Sequence, residues 1–313
     1  MAEFDAVTLA TWIAASLRSA TPLLLVILGE TLTQRAGVIN LGVEGEMLMG
    51  ACIGFAAAAT TGDPVVGLLA GAVAGAVLST IHAGLVLGAR ANQIGSGLAV
   101  WIIGLGVTSY YGRIFVGGKV DPLRPLGAHF ADAPAFARTI LDQITPTAPL
   151  ALALAGLAGL WLYRTRTGLI WRTVGESAEV ARALGIRPAW VRLQSILLGG
   201  ALAGLGGAVL SVDYTQTWAQ DITKGKGLVA VGLVIVARWN PYLVIPTALL
   251  FGVSETAVLR LQAGGVAISP SLLATMPYLL ALMVIVLARS QAWRAGSMPA
   301  DLTAIFRNSG TSD

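Results

Sequence analysis

Residues Val65–Ala89 read VVGLLAGAVAGAVLSTIHAGLVLGA, without a single Asp, Glu, Lys or Arg. Roughly 20 residues of helix cross the hydrocarbon core of a bilayer, so this stretch is long enough to span one. Ser271–Ala288 is equally free of those four residue types. The same bias holds outward from both. The chain has 313 residues, of which 56% are hydrophobic and 12% charged, where a soluble domain carries about 25% charged residues. The expected fold is all-α, a polytopic membrane helix bundle of about nine transmembrane helices (roughly 8–10). It forms a single transmembrane domain over 1–313.

The nine apolar segments are Leu9–Leu28 (interrupted by Arg18), Val38–Thr60, Val65–Ala89, Ile94–Gly112, Pro146–Tyr163, Leu193–Val212, the short Gly227–Ala237, Tyr242–Leu259 and Ser271–Ala288. The 38 glycines suit close helix approach in lipid. Gly71/Gly75, Gly84/Gly88 and Gly200/Gly204 read as packing faces within one chain. The single cysteine, Cys52, excludes an internal disulfide and a cysteine-based metal site, and reads as packing. No basic region precedes the first apolar stretch, which argues against a cleaved signal peptide. The net charge of +4 is modest, and no nucleic-acid partner is expected.

Basic residues orient the bundle, because Lys and Arg concentrate in short cytoplasmic loops. The connection Arg164–Arg192 carries six arginines against Glu176 and Glu179, so a cytoplasmic loop is expected over 165–190. Counting outward, Asp213–Lys224 falls outside, Arg238 inside, and the tail over 290–313, with Arg289, Arg294 and Arg307 at or near it, inside. Counting backward, the long Phe115–Thr145 loop falls outside, Arg90 inside, Asp63 outside and Arg35 inside, so the first helix starts outside. Lys224 and Lys226 sit on the outer side against the rule.

Catalytic signatures are missing. Gly118-Lys119 and Gly225-Lys226 lack the upstream glycine and the following Ser/Thr of a phosphate-binding loop, so any ATP is hydrolysed by another chain. The two histidines, His82 and His129, lie far apart. No metal site or cofactor is expected, and His82 reads as a structural histidine within a helix.

Three polar stretches interrupt the apolar pattern. In Arg35–Gly50, Asn40, Glu44 and Glu46 lie at the start of an apolar segment. Asn40 and Glu44, four apart, would share a helix face, and Gly37, Gly42 and Gly45 would loosen or break the helix. Ionisable residues at membrane depth line cavities or pair internally, so these groups either form a translocation-path or gating element, or cap a helix or pair with Arg35. Gly225–Pro241 has a similar design, a short apolar run bounded by Gly225, Lys226 and Gly227 and by Trp239-Asn-Pro. Short, Gly/Pro-interrupted segments early in two halves point to a central site in transporters, and the two segments are expected to pack together at the bundle centre. Candidate path residues are Asn40, Glu44, Glu46, Asn92, Gly225, Lys226 and Trp239. In the third stretch, Thr167–Arg187, Ser177 can cap a short helix that Gly185 ends. Its small face (Ala178, Ala181, Leu184) either docks on a soluble partner or lies on the inner leaflet.

At Gly37-Val-Ile-Asn-Leu-Gly-Val-Glu-Gly45, Thr165-Arg-Thr-Gly-Leu169, Gly175-Glu-Ser-Ala178, Ala183-Leu-Gly-Ile186, Gly225-Lys-Gly227, Arg238-Trp-Asn-Pro241 and Met276-Pro-Tyr278, the chain resembles ABC importer permeases of the simple-sugar/nucleoside group, related to the ribose and branched-chain amino-acid permeases. The resemblance implies a bacterial inner-membrane subunit without catalysis of its own. Its implied partners are an ABC ATPase subunit, a second permease (in a heterodimer), an extracytoplasmic solute-binding protein and the lipid bilayer. It also implies that Gly175, Glu176, Ala178, Ala181, Leu184 and Gly185 belong to the helix that seats in the ATPase. The implied solute is a nucleoside or, second, a simple sugar. A branched-chain amino-acid permease and a proton-coupled secondary transporter using Glu44 or Glu46 are the alternatives. Glu46 stands where relatives commonly carry an uncharged residue, and Met298-Pro-Ala-Asp-Leu302 follows the family's proline-rich ending only loosely.

Overall fold

The computed structural model describes residues 6–130, 132–265, 269–287 and 298–303. Arg289, Arg294 and Arg307, used above to place the tail, lie outside the described residues. Twelve α-helices follow in order: α1 (Ala6–Arg35), α2 (Val43–Thr61), α3 (Pro64–Ala83), α4 (Gln93–Tyr111), α5 (Ala135–Leu141), α6 (Thr147–Arg164), α7 (Arg166–Glu176), α8 (Ala178–Ala183), α9 (Pro188–Ala208), α10 (Lys226–Val236), α11 (Pro241–Ala263) and α12 (Pro270–Leu287). Wider π-helical turns prolong α3 through Gly88 and α9 through Tyr214. No β-strand occurs among the described residues, where the one bridge joins Lys119 to Thr217.

Local chemistry sets the helix starts. Asp63 accepts from the Val65 N–H with Pro64 in the first turn, and Asn240 does the same for Tyr242 with Pro241, both favoured N-terminal arrangements. Gly62, at φ 72°, closes α2 in the left-handed conformation that a glycine adopts without penalty.

Among the described residues, seven helices are long and apolar enough to cross a membrane: α1, α2, α3, α4, α6, α9 and α11, three of them with their helical extensions. The expected count of about nine is not reached on this measure. The seventh expected segment is the 11-residue α10, and the ninth is α12, whose apolar stretch is Thr275–Val284. The described part of the long Phe115–Thr145 loop holds only the 7-residue α5 and short 3-10 turns.

Helix α1 runs through the middle. Leu23, Leu24, Leu25, Val26, Ile27 and Leu28 are each at most 1% exposed, as expected of a helix that is apolar all round. Beside it, α2, α3 and α9 meet backbone to backbone. A Cβ on Gly204 would lie 2.2 Å from the Gly71 carbonyl oxygen, and one on Gly75 2.2 Å from that of Gly200. Two of the three small-residue pairs thus pack within the chain; Gly84 and Gly88 have no neighbour within 4 Å of a modest Cβ. The periphery is apolar and exposed, with Val73, Ile102 and Leu157 each more than 60% exposed, a surface suited to lipid.

Candidate functional site

The two glycine-bounded segments meet at Glu44. Its Oε1 accepts from the Thr223 hydroxyl (2.5 Å) and the Gly225 N–H (2.9 Å), and its Oε2 from the Gly227 (2.6 Å) and Leu228 (3.3 Å) N–H groups. Glu44, 1% exposed, therefore caps the N-terminus of α10 from a different helix. That end carries unsatisfied N–H groups and a positive partial charge, which a carboxylate complements. Gly225 enters the helix at φ 80°. Gly227 is required by contact, since a Cβ there would lie 2.6 Å from the Glu44 Cα.

A second buried group of side chains joins α1, the Gly37–Gly42 return and α2. The Asn40 side-chain amide donates to Glu46 Oε1 (2.8 Å), and the Asn40 backbone N–H donates to Glu30 Oε1 (3.2 Å), which also accepts from Gln34 (2.8 Å). The Trp239 indole N–H donates to Gln34 Oε1 (2.6 Å), and Arg35 Nε donates to the Trp239 carbonyl oxygen (2.5 Å). Asn40 does not share a helix face with Glu44. Gly37, at φ 82°, turns the chain back along α1, and α2 begins only at Val43. Asn40 sits in that return, with its side-chain oxygen on the Gly42 N–H. Arg35 pairs with neither carboxylate of α2 and reaches Trp239 and the Tyr163 hydroxyl instead.

Lys226 points elsewhere. Its ammonium donates to Glu255 Oε1 on α11 (2.7 Å) and lies 5.5 Å from the Phe251 ring centre, while the Ser19 hydroxyl of α1 donates to Glu255 Oε2 (2.7 Å). The Phe251 and Tyr278 rings pack edge to face at 5.8 Å. Asn92 joins none of these groups. It is exposed and caps α4 by accepting from the Ile94 and Gly95 N–H groups. His82 Nδ1 lies 3.0 Å from the Ser96 hydroxyl in a buried α3–α4 contact.

Helices α7 and α8 lie at one end of the bundle. Ser177 caps α8 through the Val180 N–H, and Gly185 follows it at φ 77°. The expected docking residues divide. Gly175 is buried, where a Cβ would lie 2.1 Å from the Arg35 carbonyl oxygen, and Ala181 is fully buried. Glu176 is exposed and its Oε2 accepts from the Ala300 N–H (3.2 Å). Ala178 is half-buried, while Val180 (54%), Leu184 (68%) and Trp190 (59%) present the outward apolar surface. A groove of about 740 Å³, bordered by Trp171, Gly185, Ile186 and Trp190, runs beside them. Residues 298–303 close over this end. Arg192 pairs with Asp301, Arg192 Nε donates to the Ala36 carbonyl oxygen, and Leu302 is 0% exposed.

Sequence reading missed Glu30, Gln34 and Glu255. Glu255 showed as one carboxylate inside the apolar run Tyr242–Leu259, and Glu30 lay just past the end of Leu9–Leu28.

The family model described as the permease component of the branched-chain amino acid transport system matches residues 12–288. The putative glucose ABC transporter permease protein TsgC13 of Haloferax volcanii is 33% identical over 82% of this chain and 79% of its own. The guanosine ABC transporter permease protein NupQ of Bacillus subtilis is 29% identical over 77% of this chain and 80% of its own. The nucleoside ABC transporter permease protein NupC of Lactococcus lactis is 29% identical over 91% and 94%. No solved structure matches the chain. Seven described helices long and apolar enough to cross a membrane agree with a permease family that matches most of the sequence: the chain belongs to the permease-component family and is a multi-pass membrane subunit of an ABC importer, which works with a separate ATPase and a solute-binding protein and hydrolyses no ATP itself.

Proposed function

We propose that this permease carries a nucleoside or a simple sugar across a bacterial inner membrane, paired with a second, different permease chain. The α7–α8 end faces the cytoplasm, 165–190 forms the coupling region, and 290–313 is a cytoplasmic tail. The observation that carries this reading is the Glu44 cap on α10. An 11-residue helix is about 16 Å long, half the ~30 Å core of a bilayer, and half-helices meeting a broken segment mark central sites in transporters. The relatives named for guanosine, nucleosides and glucose support the solute class.

In this mechanism ATP closes the ATPase dimer and shifts the segment Gly175–Gly185. Gly175 stands against the Arg35 carbonyl, and Arg35 holds Trp239 at the end of α10. Movement of the coupling segment is thereby passed to α10 and, through Glu44, to α2. The solute moves beside these elements, between the two permeases. A ligand drives such a switch only by its differential affinity for the two states.

Uptake of radiolabelled adenosine and glucose by cells expressing the whole transporter tests this. Vanadate-sensitive uptake of either is expected. Uptake of neither, with leucine carried instead, would favour a branched-chain amino acid, the solute in the family's description. The family assignment sets aside proton-driven transport through Glu44 or Glu46.

A further inference from the structure

We propose that Lys226, Glu255 and Tyr278, backed by the buried Ser19 and Phe251, form the patch where the permease touches its solute, and that this patch recognises a vicinal diol on a neutral, polyhydroxylated molecule; the inference rests on the solute class proposed above. Among the polar side chains inside the bundle, two groups that meet α10 or α11 differ in what they leave available. Asn40, Glu44 and Glu46 are at most 1% exposed, and both Glu44 oxygens are taken by protein donors. They hold helices together and cannot reach a passing molecule. The Lys226 and Glu255 side chains remain 14% and 23% exposed, and Tyr278 is 38% exposed.

Their depth makes this exposure informative. Glu255 lies fourteen residues beyond Pro241, the first residue of α11, which is about 21 Å along the axis. Ser19 lies sixteen residues before Arg35, the last of α1, or about 24 Å. Measured from the α7–α8 end, both lie along helices long and apolar enough to cross a membrane, within one bilayer thickness of ~30 Å. A charged pair partly open at that depth is costly against lipid and lines a water-filled cavity instead.

The chemistry of the patch selects a class of ligand. Glu255 engages one donor on each oxygen, and each oxygen has a second lone pair available. The Lys226 ammonium has further N–H groups beyond the one given to Glu255. Adjacent hydroxyls donate to the carboxylate and accept from the ammonium. The apolar face of a sugar, or a nucleobase, packs against Tyr278, whose ring the buried Phe251 supports edge to face. The paired charges sum to zero, which leaves no net charge to hold an ionic solute.

The test uses the complete transporter in cells without other nucleoside or hexose uptake. The probes are adenosine against 2′,3′-dideoxyadenosine, which lacks the diol, with glucose uptake measured beside them. The binding protein is common to all strains, so a change in selectivity between wild type and variant belongs to the permease. Glu255→Gln is expected to lower the ratio of intact to deoxygenated solute uptake about tenfold, the loss expected from one charged hydrogen bond, with the variant still co-purifying with the second permease. The exchange Lys226→Glu/Glu255→Lys is expected not to restore that ratio. An unchanged ratio in Glu255→Gln, full recovery in the exchanged pair, or loss of the second permease on purification would each overturn the proposal, the last two by making the pair a structural brace or a subunit contact. Wild-type uptake of neither adenosine nor glucose would defeat the solute class itself, whereas normal wild-type uptake with an unaltered variant ratio defeats this patch alone.

Discussion

Glu44 serves a helix other than its own, and that role sets the cost of losing it. Removing the carboxylate leaves a hydroxyl and three N–H groups at the start of α10 without their acceptor. Hydrogen bonds to charged groups contribute about 1.5–3 kcal/mol each, and they are not additive. Glu44→Ala should destabilise the purified permease by about 3 kcal/mol or more, read as a lower midpoint in thermal unfolding followed by tryptophan fluorescence; an unmoved midpoint would refute the capping role. Trp239→Phe should be milder, about 1–2 kcal/mol, because it strips one donor from Gln34 Oε1 and keeps the ring. The sequence made Asn40, Glu44, Glu46, Lys226 and Trp239 visible because each breaks an apolar run. It could not show what each touches, because the Glu44–Gly227 contact joins residues 183 positions apart. Glu255 escaped notice because its surroundings read as span by length and hydropathy alone, and Glu30 because α1 runs on past the apolar run to Arg35.

Helix α10 and the glycine seam carry the same lesson one level up. The approximate number and order of apolar segments could be read from the sequence, since apolar length is a local property. The return from Gly37 to Gly42 was only half legible: glycines announced a break, and the hydrogen bonds of Asn40 decide where the chain turns. Pairing of the glycines was likewise hidden, for small-xxx-small spacing says that a helix can be approached closely but not by what. The seam predicts an unequal response to one chemical change. Gly204→Leu forces a side chain into the backbone of α3 and should abolish accumulation of folded protein in the membrane. Gly84→Ala, with open space around the new methyl group, should change yield and unfolding midpoint within about 0.5 kcal/mol. Equal yields of the two variants would contradict the packing of α2, α3 and α9.

On the scale of the whole molecule, the α7–α8 end presents Val180, Leu184 and Trp190 outward and keeps Ala181 inside. Leu184→Asp should therefore reduce co-purification of the ATPase several-fold without harming the permease, whereas Ala181→Leu should harm the permease itself. Wild-type ATPase recovery with Leu184→Asp would move the docking surface elsewhere. Cys52 is buried, so Leu184→Cys adds one accessible thiol to an otherwise silent background. It should resist membrane-impermeant maleimide in intact cells and react once the cells are opened; labelling from outside would invert the bundle. The same end holds a constraint on biogenesis. Leu302 fills a core position and Asp301 clasps Arg192, beside the turn that follows α1. One of the last described stretches of chain thus completes packing begun by the first helix, so a nascent chain inserted up to α11 still lacks a finished α7–α8 end. Maturation of this end must wait until residue 302 has left the ribosome, and chains arrested before that point should be preferred prey for membrane proteases.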